Sequence, residues 1–365
     1  MNNPMPRLLS TVLSNRIGIL RPIVQGPMNG GSPPEMVAAV SNAGGLGSLA
    51  AAGLNADAMR MQVAAIRSQT AKPFNVNLFV LDTPTPGDHE VALAIELLRP
   101  VRAELGLAPG GAPDQYCEDF RQQLDMLIDL KVPIVSFTFG LLDAPSVERL
   151  HRAGSLVIGT ATNVAEARAW EANGADIICA QGAEAGGHRG TFLGHPDDSM
   201  IGTLALVPQI VDSVSLPVIA AGGIMDGRGI AAALVLGAQA AQLGTAFLSC
   251  AESPIHPAWK ESIRQAADTS TRTSRAFTGR PARGIVNGYT RRMAEHEQHV
   301  PAYPIQNALT MEIRKAAGTA NRPDFISLWA GQAAGMSARR PEGIHAAALV
   351  KQLAEETEAA LGWSI

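Results

Sequence analysis

Cysteine, aromatic residues and charge are all scarce in this 365-residue chain, and each scarcity removes a class of function. The three cysteines, Cys117, Cys179 and Cys250, lie far apart and form no CxxC pair, so neither a disulfide framework nor a metal site is indicated. Cys179 and Cys250 sit in or beside apolar runs, where an inert buried thiol is expected rather than a nucleophile. A cytoplasmic, reducing compartment fits that usage. Charged residues make up 17% of the chain and the net charge is −4, which leaves no basic excess to collect nucleic acid or anionic lipid. No nucleic-acid partner is expected. The chain also lacks any run approaching ~18 uninterrupted apolar residues, and Met1 to Leu20 has neither a continuous apolar core nor a small-residue cleavage site. Neither a membrane span nor a signal peptide is expected, which leaves a small-molecule partner, with homo-oligomerisation open.

What the chain does have is aliphatic residues and glycine. Hydrophobic residues reach 46% while aromatics supply only 4%, so a large core must be built from Ala, Val, Ile, Leu and Gly. Short apolar runs alternate with helical patterns, the rhythm of an α/β chain with a parallel sheet. Eight strands are expected: Ile23–Met28, Leu46–Ala51, Phe74–Val80, Ile134–Phe139, Leu156–Ile158, Asp176–Ala180, Val218–Ala221 and Ala241–Leu248. Eight such units predict a (β/α)8 TIM barrel over residues 1–250. The stretch 81–113 breaks the rhythm with Pro84, Pro86, Pro109 and Pro113, and reads as an insertion after the third strand. Residues 251–340 are expected to form a cap or flank, and 341–365 a C-terminal helix packing back on the barrel.

Barrel active sites lie at the C-terminal ends of the strands, so the residues ending each strand carry the functional argument. Gly222-Gly223 after the seventh strand and Gly244-Thr245 at the eighth predict a phosphate cradle of backbone amides and one hydroxyl, with no lysine needed. After the sixth strand comes Gln181-Gly182-Ala183-Glu184-Ala185-Gly186-Gly187-His188-Arg189-Gly190. His188 follows two glycines there, and an imidazole titrating near neutrality can exchange a proton with a small molecule. Among the remaining histidines only His195 shares that loop. Glu184 is expected either to orient a neighbour or to cap a helix.

At these residues the chain resembles the nitronate monooxygenases, formerly 2-nitropropane dioxygenases, and more closely their class I group. The motifs are Gln25-Gly26-Pro27-Met28 with Gly30-Gly31, Phe74-Asn75-Val76-Asn77, Ser136-Phe137-Thr138-Phe139-Gly140 and Glu184 to Gly190. The likeness continues through Arg275 to Arg283 and Leu328 to Gln332, with Gly26 standing where the family often has Ala. The resemblance implies FMN as cofactor, contacted by Asn77, Gln181, Gly186, Gly187, Gly222, Gly223, Gln242, Leu243, Gly244 and Thr245. Pro27, Met28 and Asn29 would lie near the flavin ring, and Tyr303 near the substrate. His188 matches the family's catalytic histidine.

The activity so implied is FMN-dependent oxidation of an alkyl nitronate, such as propionate 3-nitronate, by O2 to a carbonyl compound and nitrite, a detoxification. Related barrels offer a rival, NAD(P)H-dependent quinone or enoyl-acyl carrier protein reduction. A third reading, from another class, is a flavin-free lyase or isomerase of a phosphorylated metabolite, because fold alone does not decide chemistry.

Overall fold

The computed structural model describes residues 9–362, so the ends of the two terminal segments discussed above lie outside it. The strands are β1 (Ile23–Gln25), β2 (Gly47–Ala50), β3 (Phe74–Phe79), β4 (Ile134–Thr138), β5 (Leu156–Ala161), β6 (Ile177–Gln181), β7 (Gly187–His188), β8 (Val218–Ala221), β9 (Ala240–Leu243), β10 (Thr271–Ser274) and β11 (Ala282–Ile285). Eight of them form one parallel sheet in the order β1-β9-β8-β6-β5-β4-β3-β2. Leu46 joins its two edges, donating to the Ile23 carbonyl and accepting from the Gln25 amide, each at 2.9 Å. This is the expected TIM barrel.

Alternation along the strands sorts two cores. Ile23, Val135, Val157, Ile178 and Val218 face the surrounding helices in the main core, while Val24, Ile134, Ile158, Ile177 and Ile219 point inward. A short helix, Val12–Ile17, starts at a Thr11–Ser14 capping box and sends Leu13 and Ile17 against those inward residues. It stoppers the barrel at the end opposite the strand C-termini.

The larger departures from the sequence expectation each have a local reason. β1 stops at Gln25, because Gly26 and Pro27 leave the ladder to enter the mouth. β5 continues through Thr160 and Ala161, which still pair with Cys179 and Ala180 of β6. The apolar run Ala241–Leu248 is strand only to Leu243, and Thr245–Leu248 turns into a helix after Gly244. A continuous apolar run fits a buried strand and a buried helix equally well. The loop after β6 holds β7, the edge of a second, three-stranded sheet β10-β11-β7.

The chain outside the barrel is organised around two helices. Helix Asp88–Glu104, inside the 81–113 insertion, buries Val91, Ala94, Leu98 and Val101 against Ala276, Phe277, Tyr289, Ile305, Ile313 and Phe325. Insertion and cap therefore share one hydrophobic core. Glu104 adds ion pairs to Arg292 and Arg322 at 2.8 Å each. Helix Ala346–Ala360 instead packs on helices Pro34–Asn42 and Gly227–Val235, with Leu349, Val350 and Leu353 in the main core. It stands where the eighth barrel helix belongs, so the segment 251–340 interrupts the last βα unit rather than following a finished barrel.

Candidate active site

The C-terminal ends of β1, β3, β4, β6, β8 and β9 open into one cavity roofed by Tyr303, Trp329 and Gly331 of the cap. Pro27, Met28, Asn29, Asn77, Gln181, Gly186, Gly187, His188, Gly222, Gly223, Gln242, Gly244, Thr245 and Tyr303 all line it. Leu243 does not. Its side chain is 1% exposed in the main core, and it serves the mouth only through its carbonyl, which accepts the Gly26 N–H at 2.8 Å. His195 is exposed at the start of a 3-10 turn, away from the cavity.

Beneath the mouth runs a polar layer that the alternation of Phe74-Asn75-Val76-Asn77 builds by sending both asparagines inward. Asn75 Nδ2 donates to Ser48 Oγ at 3.2 Å and Ser136 Oγ at 2.9 Å, and Asn77 Nδ2 reaches the Ser136 hydroxyl at 3.0 Å. Asn77 Oδ1 has no hydrogen-bond partner among the described residues, which leaves an acceptor at the cavity wall. Gln181 is more committed. Its Oε1 accepts from the Gly190 amide at 2.8 Å and Arg189 Nη1 at 3.1 Å, and its Nε2 donates to the His188 carbonyl at 3.0 Å. Gln181 thus holds the histidine turn and keeps one N–H for anything in the cavity.

At the opposite wall, Gly222 and Gly223 adopt φ of +130° and +68°, and a Cβ on Gly222 would fall 2.6 Å from Thr203 Oγ1. The amides of Gly223, Gly244 and Thr245 donate to no acceptor among the described residues. Thr245 Oγ1 accepts from the Gly331 amide at 2.9 Å, so its own proton is free. Donors gathered without acceptors at the ends of β8 and β9 suit a phosphate group. Together with the Asn77 acceptor, these residues fit the phosphate and the ring N–H edge of FMN. Glu184 caps helix Thr203–Val211, accepting the Thr203 amide at 2.9 Å.

His188 sits in β7, whose backbone pairs with Ala282 of β11, so its position is set by a sheet and not by a free loop. Its Nε2 lies 2.9 Å from Thr278 Oγ1, which also reaches the Arg280 carbonyl at 3.3 Å. Phe79, Phe139, Tyr303 and Trp329 surround the imidazole with ring centroids 5.4–6.0 Å away. Burial, reinforced by Arg280 and Arg314, pushes the His188 pKa down to about 3. The imidazole is neutral at pH 7.

Several neighbours carry weight that the sequence did not reveal. Arg189 is 1% exposed and spans the Gly182 and Ser199 carbonyls at 2.6 and 2.9 Å, tying the loop to the end of β6. Phe139 takes φ of +81°, a costly conformation for an aromatic residue, and is gripped between Phe79, stacked at 4.0 Å, and the Arg280 guanidinium at 3.9 Å. Thr278, Arg280 and Arg314 come from the cap, more than 80 residues away in sequence, and only the motif around Arg275–Arg283 hinted at the first two.

A parallel barrel with an anion cradle at β8 and β9 and a histidine over its mouth defines a class, the cofactor-binding TIM-barrel enzymes. Comparison with known proteins narrows it. The family model described as nitronate monooxygenase matches residues 10–356. A probable nitronate monooxygenase of Staphylococcus saprophyticus is 39% identical over 350 residues, 95% of this chain and 98% of that protein. One from Staphylococcus aureus is 40% identical over 342 residues, 93% and 96% of the two chains. Among solved structures, nitroalkane oxidase from Streptomyces ansochromogenes superposes with a TM-score of 0.87 at 42% identity, covering 97% of this chain and 99% of that one. FabK from Thermotoga maritima gives 0.75 at 30% identity, with 97% of each chain covered. The chain belongs to the nitronate monooxygenase family, and it is an oxidoreductase.

Proposed function

We propose that this protein binds FMN and oxidises alkyl nitronates with O2, releasing a carbonyl compound and nitrite. One observation carries the reading: a neutral histidine, backed by a hydroxyl that can either donate or accept, faces a cavity whose far wall is an anion cradle. FMN would be held at its phosphate by Gly222, Gly223, Gly244 and Thr245 and at its ring edge by Asn77, and when bound it supplies the electron acceptor. The protein's own groups do the rest.

Thr278 sets what His188 offers. When Nε2–H donates to Thr278 Oγ1, the hydroxyl donates its own hydrogen bond to the Arg280 carbonyl and Nδ1 keeps a lone pair. When Thr278 donates to Nε2, Nδ1–H becomes a donor suited to the oxygens of a nitronate. Taking a proton from a nitroalkane would add a third positive charge to those of Arg280 and Arg314, which the site resists. Preformed nitronates are therefore the better substrates. Phe79, Phe139, Tyr303 and Trp329 wall the imidazole off from water. Three free thiols are compatible with work in a reducing cytoplasm.

The deciding experiment loads the purified protein with FMN and supplies propionate 3-nitronate without NAD(P)H, following nitrite and oxygen. Rapid release of nitrite with oxygen uptake is expected. No turnover, combined with anaerobic bleaching of the flavin by NADPH, would move the protein to the reductase branch.

A further inference from the structure

The turn that follows β8, Gly222 to Asp226, is fixed by residues that lie outside the cavity. The amides of Gly223, Ile224 and Met225 have no acceptor among the described residues, and all three residues line the cavity. No backbone hydrogen bond closes the turn itself. Its far end is gripped instead. Arg340 Nη2 donates to the Met225 carbonyl at 3.1 Å, and Glu356 Oε2 accepts the Gly227 amide at 3.0 Å. The two side chains are joined as a fork, Nη1 to Oε1 and Nη2 to Oε2 at 3.0 Å each, and Gln352 Nε2 donates to Oε1 at 3.0 Å.

Arg340 arrives from the roof and Glu356 from the last helix. The stretch from Gly331 to Arg340 leaves the cradle at Thr245, where the Gly331 amide bonds to Oγ1 at 2.9 Å, and returns to it at Met225. The Arg340 side chain is 8% exposed, so its guanidinium is taken up inside the protein. Burial disfavours a charged Glu356, yet the bonds from Arg340 and the Gly227 amide outweigh it and hold the carboxyl below its ordinary value. Helix Ala346–Ala360 seats so near that a Cβ on Gly227 would fall 2.3 Å from the Glu356 backbone. A helix packed that closely cannot shift without moving Gly227 and the turn before it. None of the described residues of that helix lines the cavity.

We infer that Arg340 and Glu356 are positioning residues for the cofactor phosphate: by fixing the Met225 carbonyl and the Gly227 amide they aim the donors of the turn after β8, and they couple the seating of the last helix to the retention of FMN. The inference rests on the FMN reading given above. Such coupling is reciprocal, so phosphate at the cradle must also steady a helix that it never touches. The bonds involved are charge-assisted, which makes their loss large enough to be read at the cradle.

Titration of the full-length, flavin-stripped protein with FMN and with riboflavin, followed by flavin fluorescence, tests it. Glu356→Gln is expected to raise the Kd for FMN about 10-fold and that for riboflavin less than about 3-fold, because riboflavin has no phosphate for the turn to meet. Arg340→Lys, whose single ammonium cannot hold Glu356 and the Met225 carbonyl as a fork does, is expected to fall between parent and Glu356→Gln, and it replaces the latter if that fails to fold. Hydrogen exchange gives a second readout. FMN is expected to slow exchange in helix Ala346–Ala360 of the parent more than riboflavin does, and to lose that advantage in Glu356→Gln. Equal weakening of both flavins would make the ion pair a plain structural brace and overturn the proposal. So would a parent helix whose exchange FMN leaves unaltered, a result that decides the matter even if both variants misfold. A parent that binds FMN and riboflavin equally would remove the cradle itself, and the FMN reading with it. A parent that prefers FMN, with variants that prefer it as strongly, would overturn the coupling alone.

Discussion

His188 shows how a residue's surroundings set its chemistry. The same imidazole on an open loop would titrate near 6.5, and here it stays neutral to about 3. Between those values the unfolded chain binds a proton that the native state refuses, so stability falls as pH drops from about 6.5 towards 3 and is untouched above that window. His188→Asn removes this liability. In the flavin-free protein the variant is expected to lose about 1–2 kcal/mol less than the parent between pH 7.5 and pH 5, read by denaturant unfolding at both pH values. Equal losses would mean that the imidazole is not held neutral. On the functional side the variant is expected to keep FMN, to lose at least ~100-fold in turnover of neutral nitroalkanes and to lose less with preformed nitronates, both read as nitrite release. Equal losses on the two substrates would make the histidine an anion binder alone.

Elements explain what was legible and what was not. Strand positions followed from alternation, and the glycines of β8 and β9 stand at the expected mouth. Local signals sufficed because each such element is decided by its own residues. β7 was not legible, since two residues carry no periodicity and the strand exists only because β11 comes to it from the cap. Thr278, Arg280 and Arg314 were missed for the same reason. The shared core of helix Asp88–Glu104 and the cap makes a separable prediction. Leu98→Ala opens a cavity in that core and is expected to speed amide exchange in segment 276–328 while leaving the barrel strands protected. Leu353→Ala opens one in the main core and is expected to lower global stability by about 2–5 kcal/mol in denaturant unfolding. If Leu98→Ala instead loosened the barrel strands equally, insertion and cap would not be a unit of their own.

At the scale of the whole molecule, the barrel and its roof enclose the cavity between them, so a bound cofactor stabilises both. FMN at about 100 times its Kd is expected to add roughly 2.7 kcal/mol, or about 3–4 °C in Tm for a chain of this size, measured by calorimetry. Riboflavin, which lacks the phosphate, is expected to give a smaller shift at the same concentration. An equal shift would remove the cradle at Gly222, Gly223, Gly244 and Thr245 from cofactor binding.

The placement of helix Ala346–Ala360 has a further consequence for how the molecule is made. The ring that begins with helix Pro34–Asn42 is completed by residues more than 300 positions later, after the entire roof. A nascent chain emerging from the ribosome therefore carries an open seam between its first and seventh barrel helices from the time helix Gly227–Val235 is made until the last helix emerges. Truncation or stalled translation near the C-terminus would release a polypeptide with that apolar seam uncovered, a natural target for chaperones and proteases.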